Sequence, residues 1–179
     1  MDALNTNELG TYELHETYVD LRFERHYPRQ VETVWAALTD PERLADWSMG
    51  PAEIEPHEGG RIVLMGGRMP AMTGRILTWQ PPRLLEYSWT IGQGDPTDCY
   101  VRWELTPAGD GTDLVLEHRN MGIPVMNQRL AGWHAFTEQL GAMLAGRKPE
   151  DLMQRYAVIQ PIYIAHYKLD VPVAAVCAS

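Results

Sequence analysis

The sequence predicts an α+β fold, in which a curved antiparallel β-sheet wraps around a long C-terminal α-helix and two short helices follow the first strand. The segment 28–47, PRQVETVWAALTDPERLADW, has the pattern of two short helices separated at Thr39 and Asp40. Several short alternating segments follow, and a long amphipathic helix opens near Trp133. This order of elements implies a cavity between the sheet and the long helix.

Length and composition indicate one domain. The chain has 179 residues, of which 45% are hydrophobic, and a chain of this size buries roughly two thirds of its unfolded surface. The net charge is -9, from 24 acidic and 15 basic residues. Nucleic-acid binding needs clustered Lys and Arg to neutralise phosphates, so the charge argues against a nucleic-acid partner.

The remaining composition argues against a metal site, a disulfide scaffold and a membrane anchor. Cys99 and Cys177 are isolated, without a CxxC pair or a Cys/His cluster. The N-terminus is polar and acidic, and no window reaches the ~18 apolar residues of a membrane span. We therefore expect a cytoplasmic protein without cofactor or metal.

The first third of the chain is expected to hold one strand and the two short helices. Residues 1–11 lack periodicity and should form a mobile arm. Residues 12–27 predict the first strand, with Val19, Leu21 and Phe23 on one face. The first helix has apolar residues at helical spacing, namely Val31, Val34, Trp35 and Leu38. Asp40 can cap the second helix, with Pro41 at its first position.

Short strands should fill the middle of the chain, at residues 61–65, 73–79, 83–91 and 98–106. Alternation assigns their faces. One face carries Leu85, Tyr87, Trp89, Ile91, Val101, Trp103 and Leu105. A turn at residues 108–111 leads into a last strand that continues the inner face with Leu114, Leu116 and His118.

The long helix shows an apolar stripe and ends at Gly146. The stripe consists of Trp133, Phe136, Leu140, Met143 and Leu144. Residues 147–179 form a C-terminal helical extension, in which Pro161 is expected to kink or end the helix. Its apolar surface exceeds what a terminal extension needs, which favours a homodimer that this extension helps to form, over packing within a monomer.

Five segments together resemble the START-like, or SRPBCC (helix-grip), superfamily. They are the helical segment 28–47, the Gly59-Gly60-Arg61 turn, the GRIL segment at 74–77, the strand VRWEL at 101–105 and Gly132-Trp133. The branch they resemble is that of the C-terminal domain of the Hsp90 ATPase activator. The resemblance covers roughly residues 18–146, and it implies a helix-grip domain at 12–146 with a central pocket. It implies no single activity, because the superfamily includes lipid carriers, polyketide cyclases, hormone receptors and co-chaperone modules.

The pocket implied by the resemblance lies between the inner face of the sheet and the long helix. Aromatic and methionine side chains there suit a flat or flexible apolar ligand, although the same side chains could simply fill a core. The candidate ligand-binding residues are Met65, Met69, Met72, Tyr87, Trp89, Trp103, His118, Trp133, Phe136, Thr137 and Leu140.

Two histidines are the polar residues of most interest. His118 continues an inward row of leucines, so it either donates to a buried backbone group or points into the pocket as an orienting or proton-transfer group. His134 is off the apolar stripe and is expected at the helix surface or the pocket edge. The chain lacks a G-x-S-x-G elbow, an H-E-x-x-H motif, a phosphate-binding loop and a dinucleotide fingerprint.

Three functions remain open from the sequence. The first is binding of a small hydrophobic or aromatic molecule in the central cavity. The second is a cyclase- or dehydratase-like enzyme, in which His118 and Arg68 would act on a polyketide-type or carbonyl compound. The third is a chaperone interaction module of the Hsp90-activator type. The chain lacks the second, N-terminal domain of those co-chaperones, so recovery of a chaperone in a pull-down would be needed to favour this last function.

Overall fold

The structure is a computed structural model that describes residues 8–48, 50–65, 70–91 and 98–169. The strands are β1 (Thr11–Leu14), β2 (Val19–Tyr27), β3 (Ala52–Ile54), β4 (Arg61–Leu64), β5 (Met72–Gln80), β6 (Leu84–Ser88), β7 (Thr90–Ile91), β8 (Tyr100–Ala108) and β9 (Gly111–Met121). The helices are α1 (Val31–Thr39), α2 (Pro41–Trp47), α3 (Met126–Leu144) and α4 (Leu152–Tyr167), and a short 3-10 turn at Ile123–Val125 precedes α3.

The strands form a curved antiparallel sheet in the order β1-β2-β9-β8-β6-β5-β4-β3, with β7 paired to β5. Helix α3 lies against its inner face, where Trp133 contacts Trp103 of β8 and His118 of β9. The α+β helix-grip architecture predicted from the sequence is therefore confirmed. Among the described helices, none is long and apolar enough to cross a membrane.

The alternation of the central strands matches the predicted faces. Val101, Trp103 and Leu105 of β8 are buried, as are Leu114, Leu116 and His118 of β9. The charged residues between them face outward and form ion pairs both across and along the strands. One guanidinium, that of Arg102, lies 3.3 Å from the Glu86 carboxylate and 3.1 Å from that of Glu104. Such pairs are typical of the solvated face of a sheet and do not indicate a site.

The break between the two short helices also follows the predicted capping. The Asp40 carboxylate accepts a hydrogen bond of 3.0 Å from the backbone N–H of Glu42, and Pro41 takes the first helical position. Helix α2 ends at Trp47, which is buried and donates its indole N–H to the Ala37 carbonyl at 2.9 Å. The cap and this indole bond fix the angle between α1 and α2, and thus place the end of α2 over the sheet.

Several element boundaries differ from the prediction. The single strand expected at 12–27 is the hairpin of β1 and β2, closed by a hydrogen bond from the His15 N–H to the Tyr18 carbonyl. The long helix begins at Met126, six residues before Gly132. Gly132 lies inside it because a glycine in a helix costs only about 1 kcal/mol, which the packing of a 19-residue helix outweighs.

Pro161 does not end α4, which continues to Tyr167. Proline lacks an N–H, so the carbonyl of Ala157 loses its helical partner. Both residues are exposed, and water can therefore satisfy that carbonyl. Of the two outcomes expected at Pro161, a kink or an end, the structure excludes the end.

The C-terminal extension packs on its own domain. Ile159 and Tyr163 of α4 are fully buried. Gly10, which falls in the arm expected at 1–11, donates its N–H to the Tyr163 hydroxyl at 2.7 Å and accepts a 2.8 Å hydrogen bond from the Tyr167 hydroxyl. Much of the apolar surface that favoured a homodimer is therefore covered within one chain.

Candidate functional site

A small cavity lies where the end of α2 meets the sheet and α3. Its volume is about 20 Å³, enough for about one water molecule, whereas pockets for drug-sized ligands measure about 300–1,000 Å³. A larger molecule would need side chains of the wall to move. The lining residues are Leu38, Leu44, Trp47, Ser48, Ile62, Leu64, Tyr87, Trp89, Trp103, Trp133 and Phe136.

The wall of the cavity is a cluster of aromatic rings. The ring centroid of Trp133 lies 5.1 Å from that of Trp89, 5.6 Å from that of Trp103 and 5.7 Å from that of Phe136. Trp47 meets Phe136 edge to face at 6.4 Å. These distances fall within the range of attractive aromatic pairs. Trp133 sits at the centre of the cluster because α3 crosses the sheet at that point.

The four tryptophans of the wall differ in how their indole N–H groups are satisfied. Trp47 donates to the Ala37 carbonyl at 2.9 Å, Trp103 to the Tyr87 hydroxyl at 3.2 Å, and Trp133 to His118 at 2.8 Å. Trp89 is only 3% exposed, yet in the described part of the chain its N–H has no partner. The hydroxyl of Ser48, at the end of α2, is also buried and without a partner there.

His118 belongs to a buried network behind this wall. Its Nδ1 accepts the indole N–H of Trp133, and its Nε2 lies 3.0 Å from the Cys99 sulfur. A neutral imidazole that accepts at Nδ1 carries its proton on Nε2, so Nε2–H points at the sulfur. Burial, with a smaller contribution from the charge of Arg129, lowers the pKa of His118 well below its usual 6.5.

Because Nδ1 accepts a hydrogen bond and Nε2 carries the proton, His118 has no free lone pair. A histidine that activates a thiol or a substrate needs a basic nitrogen facing it, oriented by an acceptor on the other side of the ring. In His118 the roles are the opposite, because Trp133 donates to the nitrogen that a catalytic histidine would use to donate to an acceptor. The partners of His118 are two side chains, whereas the sequence suggested a backbone group or the pocket.

The sequence-predicted site residues fall into three groups. Those that line the cavity are Tyr87, Trp89, Trp103, Trp133 and Phe136. Those that are buried but outside its lining are Met72, His118, Thr137 and Leu140. Met65 is 37% exposed and also outside the lining, while Met69 and Arg68 lie outside the described residues.

Thr137 shows why a position on the long helix did not by itself place a residue in the cavity. Its hydroxyl accepts a 3.2 Å hydrogen bond from Arg25, and its carbonyl accepts one of 2.8 Å from the Tyr27 hydroxyl. Both donors belong to β2, so Thr137 faces the strand at the far side of α3 from the cavity. Helix α3 contributes to the lining through Trp133, one turn before Thr137, and through Phe136, the residue directly before it.

Sequence reasoning missed the residues from the two short helices and from β4. These are Leu38, Leu44, Trp47, Ser48, Ile62 and Leu64. The apolar stripe of the first helix and the tryptophan at the end of the second were visible signals. They indicated burial, but not that the buried side faces a cavity.

A second polar network lies on the opposite side of α3. His134 is fully buried, contrary to the expected surface position, and its Nδ1 lies 2.9 Å from the Tyr163 hydroxyl. Its Nε2 lies 3.4 Å from Glu138, whose carboxylate pairs with Arg155 of α4 at 2.6 Å. Burial acts to raise the pKa of Glu138, but hydrogen bonds from Arg155 and His134 lower it to about 2.

This network joins α3, α4 and the N-terminal segment through Gly10. Each of its polar side chains meets another protein group, which is the arrangement expected of a structural contact. In the portion of the chain described by the structure, no group of three or more His, Cys, Asp or Glu residues is placed to hold a metal ion. The aromatic cavity is therefore our candidate site.

Solved structures show that this fold occurs in other proteins. CalU16 from Micromonospora echinospora is 28% identical in its crystal structure, with 85% of this chain and 90% of that chain covered and a TM-score of 0.68. DynU16, described as a putative protein in the dynemicin biosynthetic locus, is 25% identical, with 74% of this chain and 49% of that chain covered and a TM-score of 0.65.

A third structure, the Aha1 dimer from Colwellia psychrerythraea, is 15% identical over 70% of this chain and 95% of that chain, with a TM-score of 0.63. At that identity the likeness shows the fold alone. No curated protein matches the chain. The sequence model of the family "Activator of Hsp90 ATPase homolog 1-like protein" matches residues 28–145. These residues hold the cavity and most of the sheet, and the chain belongs to that family.

Proposed function

We propose that this protein binds a small hydrophobic or aromatic molecule in the cavity between α2, the sheet and α3. The observation that carries the proposal is the wall of four tryptophans and Phe136 around a space at the end of α2. Aromatic rings supply large apolar contact area to a bound molecule, and they attract other rings edge to face.

The small volume of the cavity makes Phe136 important for this function. Phe136 is half-buried, while the tryptophans around it are buried. Its phenyl ring has no polar group to anchor it, whereas Trp47, Trp103 and Trp133 are each held by an indole hydrogen bond. Rotation of Phe136 is therefore the cheapest way to enlarge the cavity for a ligand.

The experiment is a calorimetric titration with indane, a small apolar aromatic probe. Ile62→Phe adds volume to the cavity wall and should reduce indane affinity at least about tenfold, because overpacking of a filled site costs about 1–3 kcal/mol. Leu77→Phe makes the same kind of change at a position that is 47% exposed, and it should leave binding unchanged. Absence of indane binding to the wild-type protein, or equal binding to both variants, would contradict the proposal.

A cyclase- or dehydratase-like enzyme is the second candidate, and the likeness to DynU16, a putative protein of a biosynthetic locus, favours it. Against it, the described lining contains no carboxylate, histidine, lysine or arginine, and both ring nitrogens of His118 are engaged. Native mass spectrometry of freshly purified protein separates the two candidates. A retained molecule that is recovered unchanged after incubation supports binding, whereas its conversion supports the enzyme.

Oligomeric state, location and chaperone binding remain predictions. The Colwellia Aha1 structure is a dimer, but in this chain α4 packs on its own α3, and its exposed large apolar residues are Met153 and Val158. Light scattering of the full chain tests the homodimer through residues 147–179. A monomer at micromolar concentration would refute it. A cytoplasmic location and a chaperone partner would be tested by fractionation and by pull-down.

A further inference from the structure

We propose that the ligand is an aromatic molecule that carries a hydrogen-bond acceptor, such as a carbonyl oxygen, and that this acceptor pairs with the indole N–H of Trp89. The inference rests on the proposed function, since it specifies the chemistry of the molecule bound in the same cavity. The observation behind it is the difference between Trp89 and the other tryptophans of the wall.

Buried indole N–H groups normally find a partner, because leaving a donor unpaired costs about 1–3 kcal/mol. Trp47, Trp103 and Trp133 follow this rule with a carbonyl, a hydroxyl and an imidazole as acceptors. Trp89 has 3% of its surface exposed and no partner for its N–H among the described groups. A fold that satisfies three of the four donors with protein groups leaves the fourth for a group that comes with the ligand.

A bound water and a ligand oxygen are the two candidate partners of this donor. A buried water typically needs two to four polar partners. Three of the four indole N–H groups of the lining are already used, which leaves the Ser48 hydroxyl and the O–H of Tyr87, whose oxygen accepts from Trp103. An acceptor attached to an aromatic ring needs only the Trp89 N–H, while its ring packs against the aromatic wall.

The charge near Trp89 also favours an acceptor. The guanidinium carbon of Arg129 lies 5.6 Å from the centroid of the Trp89 ring. A positive charge at this distance stabilises a partial negative charge on a nearby ligand oxygen and opposes a cationic ligand. The described lining offers no carboxylate to hold a cation either.

Ser48 is a second polar group for the same ligand. Its hydroxyl is buried at the end of α2 and has no partner in the described part of the chain, and Ser48 lines the cavity together with Trp89. A hydroxyl can donate or accept. A ligand with a second oxygen could therefore pair there too, and Ser48→Ala should weaken such a ligand without changing the pairing at Trp89.

The test compares 1-indanone with indane, two probes of nearly the same shape that differ by one carbonyl. We define the carbonyl preference as the Kd of indane divided by the Kd of 1-indanone, measured by calorimetry. Trp89→Phe keeps a ring and removes the N–H, so the preference should fall about five- to tenfold. Trp103→Phe is the matched control, since its N–H is already bonded to Tyr87, and it should change both affinities by the same factor.

The outcomes separate this inference from the proposed function. Binding of both probes with the same carbonyl preference in the wild-type protein and in Trp89→Phe overturns the inference and leaves the proposed function standing. Binding of neither probe overturns both. If Trp89→Phe does not fold, the indole ¹H–¹⁵N resonance of Trp89 in the wild-type protein decides: it should move downfield with 1-indanone and much less with indane, and equal shifts overturn the inference.

Discussion

Helix α3 presents two buried faces that differ in what their polar groups contact. One face, with Trp133 and Phe136, meets the aromatic cavity, where the Trp89 N–H and the Ser48 hydroxyl are buried without partners among the described residues. The other face, with His134 and Glu138, meets α4 through a network in which each side chain contacts another protein group.

The difference teaches how to tell a site from a core in this protein. Burial alone does not separate the two faces, since His134, Trp133 and Trp89 are all nearly inaccessible. What separates them is what their polar groups face. His134 Nε2 also lacks a hydrogen bond among the described residues, but it lies 3.4 Å from the Glu138 carboxylate. A network of contacts between protein groups stabilises the fold, whereas an unpaired donor beside a cavity costs stability unless a ligand pairs with it.

The largest expected loss of stability is at the face of α3 that meets α4. Tyr163 is fully buried and bonded to Gly10, so Tyr163→Ala should lower the free energy of unfolding by about 3–5 kcal/mol. Urea titration measures this loss. Val158→Ala, on the same helix and 42% exposed, is the control and should stay within about 0.5 kcal/mol of wild type. If folded Tyr163→Ala also bound indane much more weakly, the two faces would not be independent.

The next effect concerns His118, which lies behind the cavity wall. His118→Ala leaves the Trp133 N–H without its acceptor, and it should cost about 1–3 kcal/mol of stability while indane affinity changes little.

The lowered pKa of His118 adds a pH dependence of stability. Because the unfolded state takes up this proton below about 6.5 and the folded state does not, its contribution to stability is present above that pH and is lost as the pH falls. The variant should lack this part of the pH profile, and weaker binding without loss of stability would place His118 in the site.

The third effect is a pH dependence of stability at the face of α3 that meets α4. The Glu138 pKa is lowered from 4.5 to about 2, so its contribution is present above pH 4.5 and is lost as the pH falls towards 2. We expect about 1–2 kcal/mol after allowing for solvent screening of this partly exposed carboxylate. Comparison of acid unfolding in wild type and Glu138→Gln measures it. Identical profiles would show that the ion pair with Arg155 does not hold α4.

The sequence predicted the fold well because the signals involved are local. Alternation assigned the buried faces of β8 and β9, and Asp40 with Pro41 marked the start of α2. Gly146, at a φ of +72°, lies just past the end of α3, as expected of a helix-terminating glycine. Each of these features depends on a few neighbouring residues, and the resemblance to the helix-grip superfamily then implied how the elements are arranged.

The sequence predicted only half of the candidate site, because the lining depends on contacts that are not local. Whether a buried residue faces the cavity depends on how α1 and α2 dock over the sheet. The spacing of apolar residues along the sequence does not predict this docking. Leu140 belongs to the same apolar stripe as Trp133, yet it is outside the lining. The missing partner of Trp89 is likewise a property of the packed molecule, because any of several neighbouring groups could have supplied an acceptor.

The smallest effect on stability is expected at Phe136, where the cavity meets the solvent. Phe136 is half-buried and packs against Trp47 and Trp133, so Phe136→Ala should cost only about 1–2 kcal/mol, less than a fully buried phenylalanine. The same change removes the ring that limits the cavity, and it should therefore raise the affinity for fluorene, a larger aromatic probe, relative to indane. Leu77→Ala is the control at an exposed position. An unchanged fluorene-to-indane ratio in Phe136→Ala would mean that Phe136 does not limit the cavity, and that the ligand enters by displacing a different part of the wall.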